Sequence, residues 1–162
     1  MIPSIRSAQT RDINYLIDID IKSYHFPYSV DMWRTLAEDS TCVILLASIK
    51  EEPISVCAWR KNLATKEAEI LRLATKPAYR EKGVASFLYY TAQLAAQESG
   101  LQEMTIIVPE INCFPGHPDD VSHWLLGRNF QAVTPILKNH FYRYGRHYDG
   151  FKFTCIIGEN HA

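Results

Sequence analysis

The chain has 162 residues, 47% of them hydrophobic and 22% charged, with a formal net charge of -1. That is enough chain for one domain (residues 1–162) with a substantial core and too little for two of ordinary size, and charge this close to zero argues against a surface built for nucleic-acid phosphates or anionic lipid. Cys42, Cys57, Cys113 and Cys155 are widely spaced with no Cys-x-x-Cys pair, which suits neither a zinc site nor a disulfide scaffold and reads as reduced thiols in a cytoplasmic protein.

No apolar run approaches the roughly 20 residues of a membrane span, and the opening Met-Ile-Pro-Ser-Ile-Arg has no apolar targeting core, so a soluble protein is expected. Residues 2–7 predict a first strand. Ile13, Leu16, Ile17 and Ile21 recur at near-helical spacing and predict an amphipathic helix from Arg11 to Tyr24. Phe26-Pro27-Tyr28-Ser29 ends it, and Ser29 is placed to cap a second helix over 31–38 carrying Trp33 and Leu36. Cys42–Ile49 and Ile54–Trp59 read as antiparallel strands around a charged turn at residues 50–53, followed by a third strand over 67–75. From Gly83 to Ser99 a helical stripe of Val84, Phe87, Leu88, Thr91, Leu94 and Ala95 is expected to face the core, with Gly100 as the stop. Met104–Val108 predicts a buried strand, the segment from Asp119 a short helix with acidic residues in its first turn, and residues 131–140 and 151–157 a final pair of strands joined by an aromatic, basic loop. No repeat or linker interrupts this order.

The run from Ile70 to Ser86 carries the most chemistry: a strand, a loop, then Arg80-Glu81-Lys82-Gly83-Val84-Ala85-Ser86 opening the long helix. The first turn of a helix offers backbone N–H groups without intrahelical partners and the positive end of the dipole, so an anion fits there. Gly83 lets a phosphate approach the backbone, Ala85 is nearly as small, and Arg80 and Lys82 bring positive charge to the rim. The segment predicts a pyrophosphate site.

Arg80, Gly83 and Ala85 fill the fixed positions of the Gln/Arg-x-x-Gly-x-Gly/Ala signature, and here the chain resembles the GCN5-related N-acetyltransferases. The element order is similar to that family over the whole chain. The resemblance implies an α/β fold with a mixed, mostly antiparallel sheet of about seven strands flanked by about four helices. It implies acetyl-CoA as acyl donor and coenzyme A as product, with the pantetheine arm along Leu71, Leu73, Ala74 and Thr75 and the pyrophosphate on residues 80–86. It also implies a bulge near Leu73 that leaves a backbone N–H for the carbonyl oxygen. Asn112 matches an asparagine that contacts the cofactor arm in many relatives, and a turn-capping role suits it equally. Phe26-Pro27-Tyr28-Ser29 resembles the Phe-Pro-Trp-Ser of ribosomal-protein N-terminal acetyltransferases, which assigns Phe26, Tyr28 and, on the last hairpin, Tyr142 to acceptor binding.

Acetyl transfer to an amine needs a base, and Glu69 is the candidate. Strict alternation places it on one strand face with Leu71 and Leu73, an apolar setting that would raise its pKa, and Ala68-Glu69-Ile70 aligns with the general-base glutamate of the histone-acetylating branch. The alternative is a surface glutamate paired with Lys66. The N-terminal branch's base on the fifth strand is replaced by Ile107, and the family's acid tyrosine, a few residues before a Gly-Phe pair, by Leu125. Water, Cys113, His123 or Tyr142 are the remaining donors. An insertion within 113–120 lengthens the preceding loop. The histidines lack metal-ligand spacing, so no metal is expected. The acceptor is an amine-bearing protein or small molecule, and the chain a monomer or homodimer without a membrane or nucleic-acid partner. A catalytically degenerate coenzyme A sensor is the rival reading.

Overall fold

A seven-stranded sheet in the order β1-β2-β3-β4-β5-β7-β6 organises the chain, and the computed structural model describes residues 2–113 and 120–158. Strands β1 (Ser4–Ser7), β2 (Cys42–Ile49), β3 (Glu52–Asn62) and β4 (Glu67–Thr75) form an antiparallel run. The single parallel pair among the described residues is β4 with β5 (Glu103–Pro109), joined by helix α3 (Val84–Glu98). Strands β7 (Arg146–Ile156) and β6 (Gln131–Arg143) complete the sheet as an antiparallel hairpin.

Apolar side chains on the two sheet faces make two cores. One face carries Trp59, Ala68 and Ile70 against Leu88, Tyr89, Ala92 and Ala96 of α3 and Leu125 of the short α4 (Ser122–Leu126). The other carries Ile44, Leu46, Val56 and Ala58 against Leu16 and Ile19 of α1 (Ile13–Ser23) and Trp33 and Leu36 of α2 (Val30–Glu38). Each fully buried Leu, Ile or Val side chain contributes about 1.5–3 kcal/mol. Ser29 caps α2 as expected, its Oγ accepting from the Met32 N–H at 3.2 Å.

Three expectations need correction. On α3 the core stripe is Val84, Leu88, Tyr89, Ala92 and Ala96, while Phe87 and Leu94 are exposed: the first buried turn is set by Val84, and a 3.6-residue period from it selects the smaller alanines, which let the helix sit close to the sheet. On α1 Ile21 is exposed and Ile19 and Asp20 are buried. The last two strands run far past their expected limits, to Arg143 and from Arg146, so only Tyr144 and Gly145, both at positive φ, make the turn.

Candidate active site

The site begins where two strands part. β4 and β5 are paired only from Glu67 and Glu103 to Ile70 and Ile106. On the other side of β4, Ala58 of β3 opposes Arg72 while Trp59 opposes Ile70, so Leu71 is one extra residue: a β-bulge, which bends its strand and re-aims the side chains beyond it. The bulge was expected near Leu73 and lies two residues earlier. Its effect is direct, because Leu71 packs with the α1/α2 core and Leu73 with the α3 core. Glu69 therefore shares a face with Leu71 but not with Leu73. From Leu71 onward β4 leaves β5, which stays on β7 as far as Pro109 opposite Gly150.

The gap is the mouth of a cleft of about 550 Å³ lined by residues of β4, β5, the 80–86 loop, α3 and α4, within the range of small-molecule sites. Its middle is apolar, with Leu71, Leu73, Ile106, Val108 and Leu125. Its far end is the start of α3, where Gly83 holds φ of 80° as the N-cap and Glu81 holds 62°. Alternating left-handed residues turn successive backbone N–H groups into a concave anion cradle. A methyl group added at Gly83 would meet nothing within 4 Å, so the backbone there faces open space. Of the expected loop residues, Arg80, Glu81, Gly83, Val84, Ala85 and Ser86 line the cleft. Lys82 does not, and its ammonium donates to the Ala78 carbonyl at 3.3 Å. Arg80 serves as a brace as well as rim charge: Nε donates to the Thr75 carbonyl and Nη2 to the Ser23 carbonyl, each at 3.1 Å, tying the end of β4 to the end of α1. Arg128 likewise ties α4 to α3, donating to Ser86 Oγ and lying 4.0 Å from the Trp124 ring centre.

Behind the bulge lies an ion pair that sequence reasoning missed. Arg72 Nε donates to Asp20 Oδ1 at 2.9 Å, with the two side chains 6% and 0% exposed. Asp20 Oδ2 also accepts from the Tyr28 N–H at 2.8 Å and the Trp33 indole N–H at 3.2 Å. Arg72 Nη2 donates to the Phe26 carbonyl. The guanidinium is stacked between the rings of Tyr24 and Tyr28, 4.1 and 3.7 Å from their centres. Burial pushes the Asp20 carboxyl up, against the opposing pull of Arg72 and the two N–H donors. The network fastens the whole α1–α2 connection to the bulge. A signal existed: Asp20 sits in the Ile13/Leu16 helical stripe and Arg72 within the apolar stretch Ile70–Ala74 of β4, two opposite charges at core positions.

Tyr28, Leu36, Arg60, Leu71 and neighbours line a smaller groove of about 310 Å³ on the α2 face. Leu71 borders both cavities. Glu69 is half-buried, opposes Arg60 in register and lies near enough to influence the Tyr28 phenol electrostatically, but it lines neither cavity. Its surroundings are thus less apolar than alternation implied. Phe26 is buried, its ring 5.1 Å from both Phe141 and Tyr148, so the hairpin closes onto the α1–α2 connection. Tyr142 is exposed, packs on His147 at 4.9 Å and reaches neither cavity. Asn112 is buried at the cleft wall, and its backbone carbonyl accepts from the Val121 N–H at 2.8 Å. The expected insertion falls largely on residues 114–119, outside those described. No described helix is long and apolar enough to cross a membrane.

The profile of the Acetyltransferase (GNAT) family matches residues 13–113, which spans the bulge, the loop and Asn112. No curated protein matches the sequence significantly. Among solved structures, the chain is similar to the ribosomal-protein-S18-alanine N-acetyltransferase of Escherichia coli at 16% identity, TM-score 0.79, with 99% of each chain covered. It is similar to Ard1 of Thermoplasma volcanium at 19% identity, TM-score 0.82, covering 98% of this chain and 100% of that one. It is also similar to the spermidine/spermine N-acetyltransferase SpeG of Vibrio cholerae at 17% identity, TM-score 0.72, covering 97% and 94%. Identities this low establish a shared fold, while the profile match, covering more than half of the chain and including the loop and bulge just described, establishes that it belongs to the GNAT acetyltransferase family.

Proposed function

We propose that the chain acts as a single domain that moves an acetyl group from acetyl-CoA directly to a primary amine, both substrates being bound together. The observation that carries this reading is the parting of β4 from β5 at Leu71, which opens onto the left-handed loop at Gly83. Members of this family use acetyl-CoA, and the cleft fits it. An apolar slot with an unpaired strand edge suits an extended arm, and the cradle at the start of α3 suits a pyrophosphate. In this reading Leu71, Leu73, Ala74 and Thr75 hold the arm, residues 80–86 the phosphates, and Asn112 the wall opposite β4. When bound, the cofactor supplies an acyl group activated as a thioester.

The chain's own residues supply the rest. The backbone N–H groups at the bulge are positioned to stabilise charge on the carbonyl oxygen. Glu69, acting through water beside the groove, takes a proton from the amine. Phe26 and Tyr28 shape the acceptor side. The likeness to enzymes named for S18 alanine and Ard1 leans toward protein α-amino groups as acceptors. Calorimetric titration with acetyl-CoA and with coenzyme A, followed by thiol release with pooled amines and peptides, tests the reading. Binding with release dependent on one acceptor is the expected result. Binding without release from any acceptor supports the sensor instead, and absence of binding overturns the cofactor assignment.

A further inference from the structure

The residue at the family's acid position is Leu125, 1% exposed and without a proton to give, yet the thiolate leaving the cofactor must be protonated. We infer that Tyr24, at the C-terminal end of α1, is the proton donor to the departing sulfur, an assignment that rests on the acetyl-transfer reading above.

Three observations place it. Tyr24 lines the cleft with Leu71, Arg72, Ile106 and Ile107, the residues flanking the point where β4 and β5 separate. Its ring centre lies 4.1 Å from the Arg72 guanidinium, which roots it to β4. The side chain thus stands in the cleft wall at the mouth between the two strands. Its hydroxyl has no hydrogen-bond partner among the described residues, and burial pushes its pKa up, so it holds its proton through the neutral range.

The other hydroxyls of the cleft are spent or distant. Tyr79 donates to Glu52 at 3.0 Å, Thr75 is bonded to Ser55 at 2.8 Å, and Ser86 is held by Arg128. Thr75 lies four residues along the strand from Leu71, roughly 13 Å away, and Ser23 stands beside the Arg80 brace at that same end. Tyr142 lies outside the cleft. His123 is the competitor, being exposed on α4 and in the cleft lining.

The step balances. The amine nitrogen forms the C–N bond and gives one proton to Glu69 or water. The C–S electron pair leaves with sulfur, which takes the Tyr24 phenolic proton. The phenolate then regains a proton from solvent, leaving amide and free thiol.

The test is Tyr24→Phe, which deletes only the hydroxyl, compared with wild type and His123→Ala. The expected losses are on the order of 10²-fold in kcat for Tyr24→Phe and under about threefold for His123→Ala, with acetyl-CoA affinity within about twofold by calorimetry. A second readout needs no turnover. Thiolate absorbance near 240 nm, blanked with desulfo-coenzyme A, gives the pKa of bound coenzyme A. A phenol donating to the sulfur should lower it in wild type, and Tyr24→Phe should return it toward the free value. Equal kcat in Tyr24→Phe, or loss confined to His123→Ala, overturns the assignment. So does a wild-type bound thiol whose pKa matches free coenzyme A, even if Tyr24→Phe fails to fold. Failure of wild type to bind or turn over would instead sink the acetyl-transfer reading.

Discussion

Replacing Arg72 with Met probes the hidden frame of the site. The side chain is 6% exposed and its partner Asp20 0%, so the substitution leaves a carboxylate buried without its cation, a change that costs about 3–5 kcal/mol. Loss of the stacks on Tyr24 and Tyr28 and of the bond to the Phe26 carbonyl pushes toward the upper end. At about 2.1 cal/mol/K per residue, 162 residues carry an unfolding entropy of about 0.34 kcal/mol/K, so 4 kcal/mol lowers Tm by about 12 °C. Removing Asp20 as well, with Leu, should recover part of that loss even though it strands the Tyr28 and Trp33 N–H groups. A double-mutant cycle by urea denaturation measures the coupling, and the exposed Lys138–Asp149 pair, whose lysine is 75% exposed, is the control at about 0.2–1 kcal/mol. An Arg72→Met cost below about 1 kcal/mol would refute the view that this pair fastens the α1–α2 connection.

Three further changes separate the parts of the site. Gly83→Ala must force a methyl-bearing residue to φ of 80°, which costs about 1–2 kcal/mol, about 3–6 °C in Tm. Because its methyl points into open space, where the phosphates are proposed to lie, acetyl-CoA affinity should fall at least tenfold, and unchanged affinity would refute the cradle. Glu69→Gln should lower turnover on the order of 10²-fold with cofactor affinity near wild type; equal turnover across pH refutes Glu69 as base. Asp12 accepts two bonds from Arg6 at 2.8 Å each, which chiefly hold its carboxyl down at about 2 against an ordinary 3.8. A lowered folded pKa contributes stability that is full above the ordinary value and is lost as pH falls through the folded one. The stability gap between wild type and Asp12→Asn should therefore be complete at pH 5 and shrink from about pH 4 toward 2, and a gap that stays constant would show that the charge contributes nothing.

Much of the architecture was legible because its signals are local. Periodicity found the long helices, the cap Ser29 was read from residue type, and the Arg80-x-x-Gly83-x-Ala85 pattern located the loop that opens α3. The features that escaped depend on contacts far apart in the chain. Asp20 and Arg72 are 52 residues apart, and neither charge reveals its partner until α1 is laid on β4. Tyr24 looks like a helix-end aromatic until the same docking brings it over the parted strands. Phe87 and Leu94 were expected inside because hydrophobicity, not volume, was counted, whereas close packing of α3 on the sheet selects Ala92 and Ala96.

The bulge shows most clearly why one residue of register matters. Alternation is the strongest rule for reading a strand, and a slip of one residue exchanges its faces. With Leu71 inserted, the residues before it keep the expected faces and those after it are reversed, so Leu73 joins the α3 core while Leu71 and Arg72 both serve the α1/α2 side. That same residue ends the pairing with β5, borders both cavities and sets the stacked guanidinium beside the mouth of the cleft. Without the extra residue the same register would carry β4 along β5 as far as Leu73 opposite Pro109, where β5 ends. The unpaired strand edge and the cleft therefore both begin at this residue, and the buried Asp20–Arg72 pair is what holds the α1–α2 connection against it.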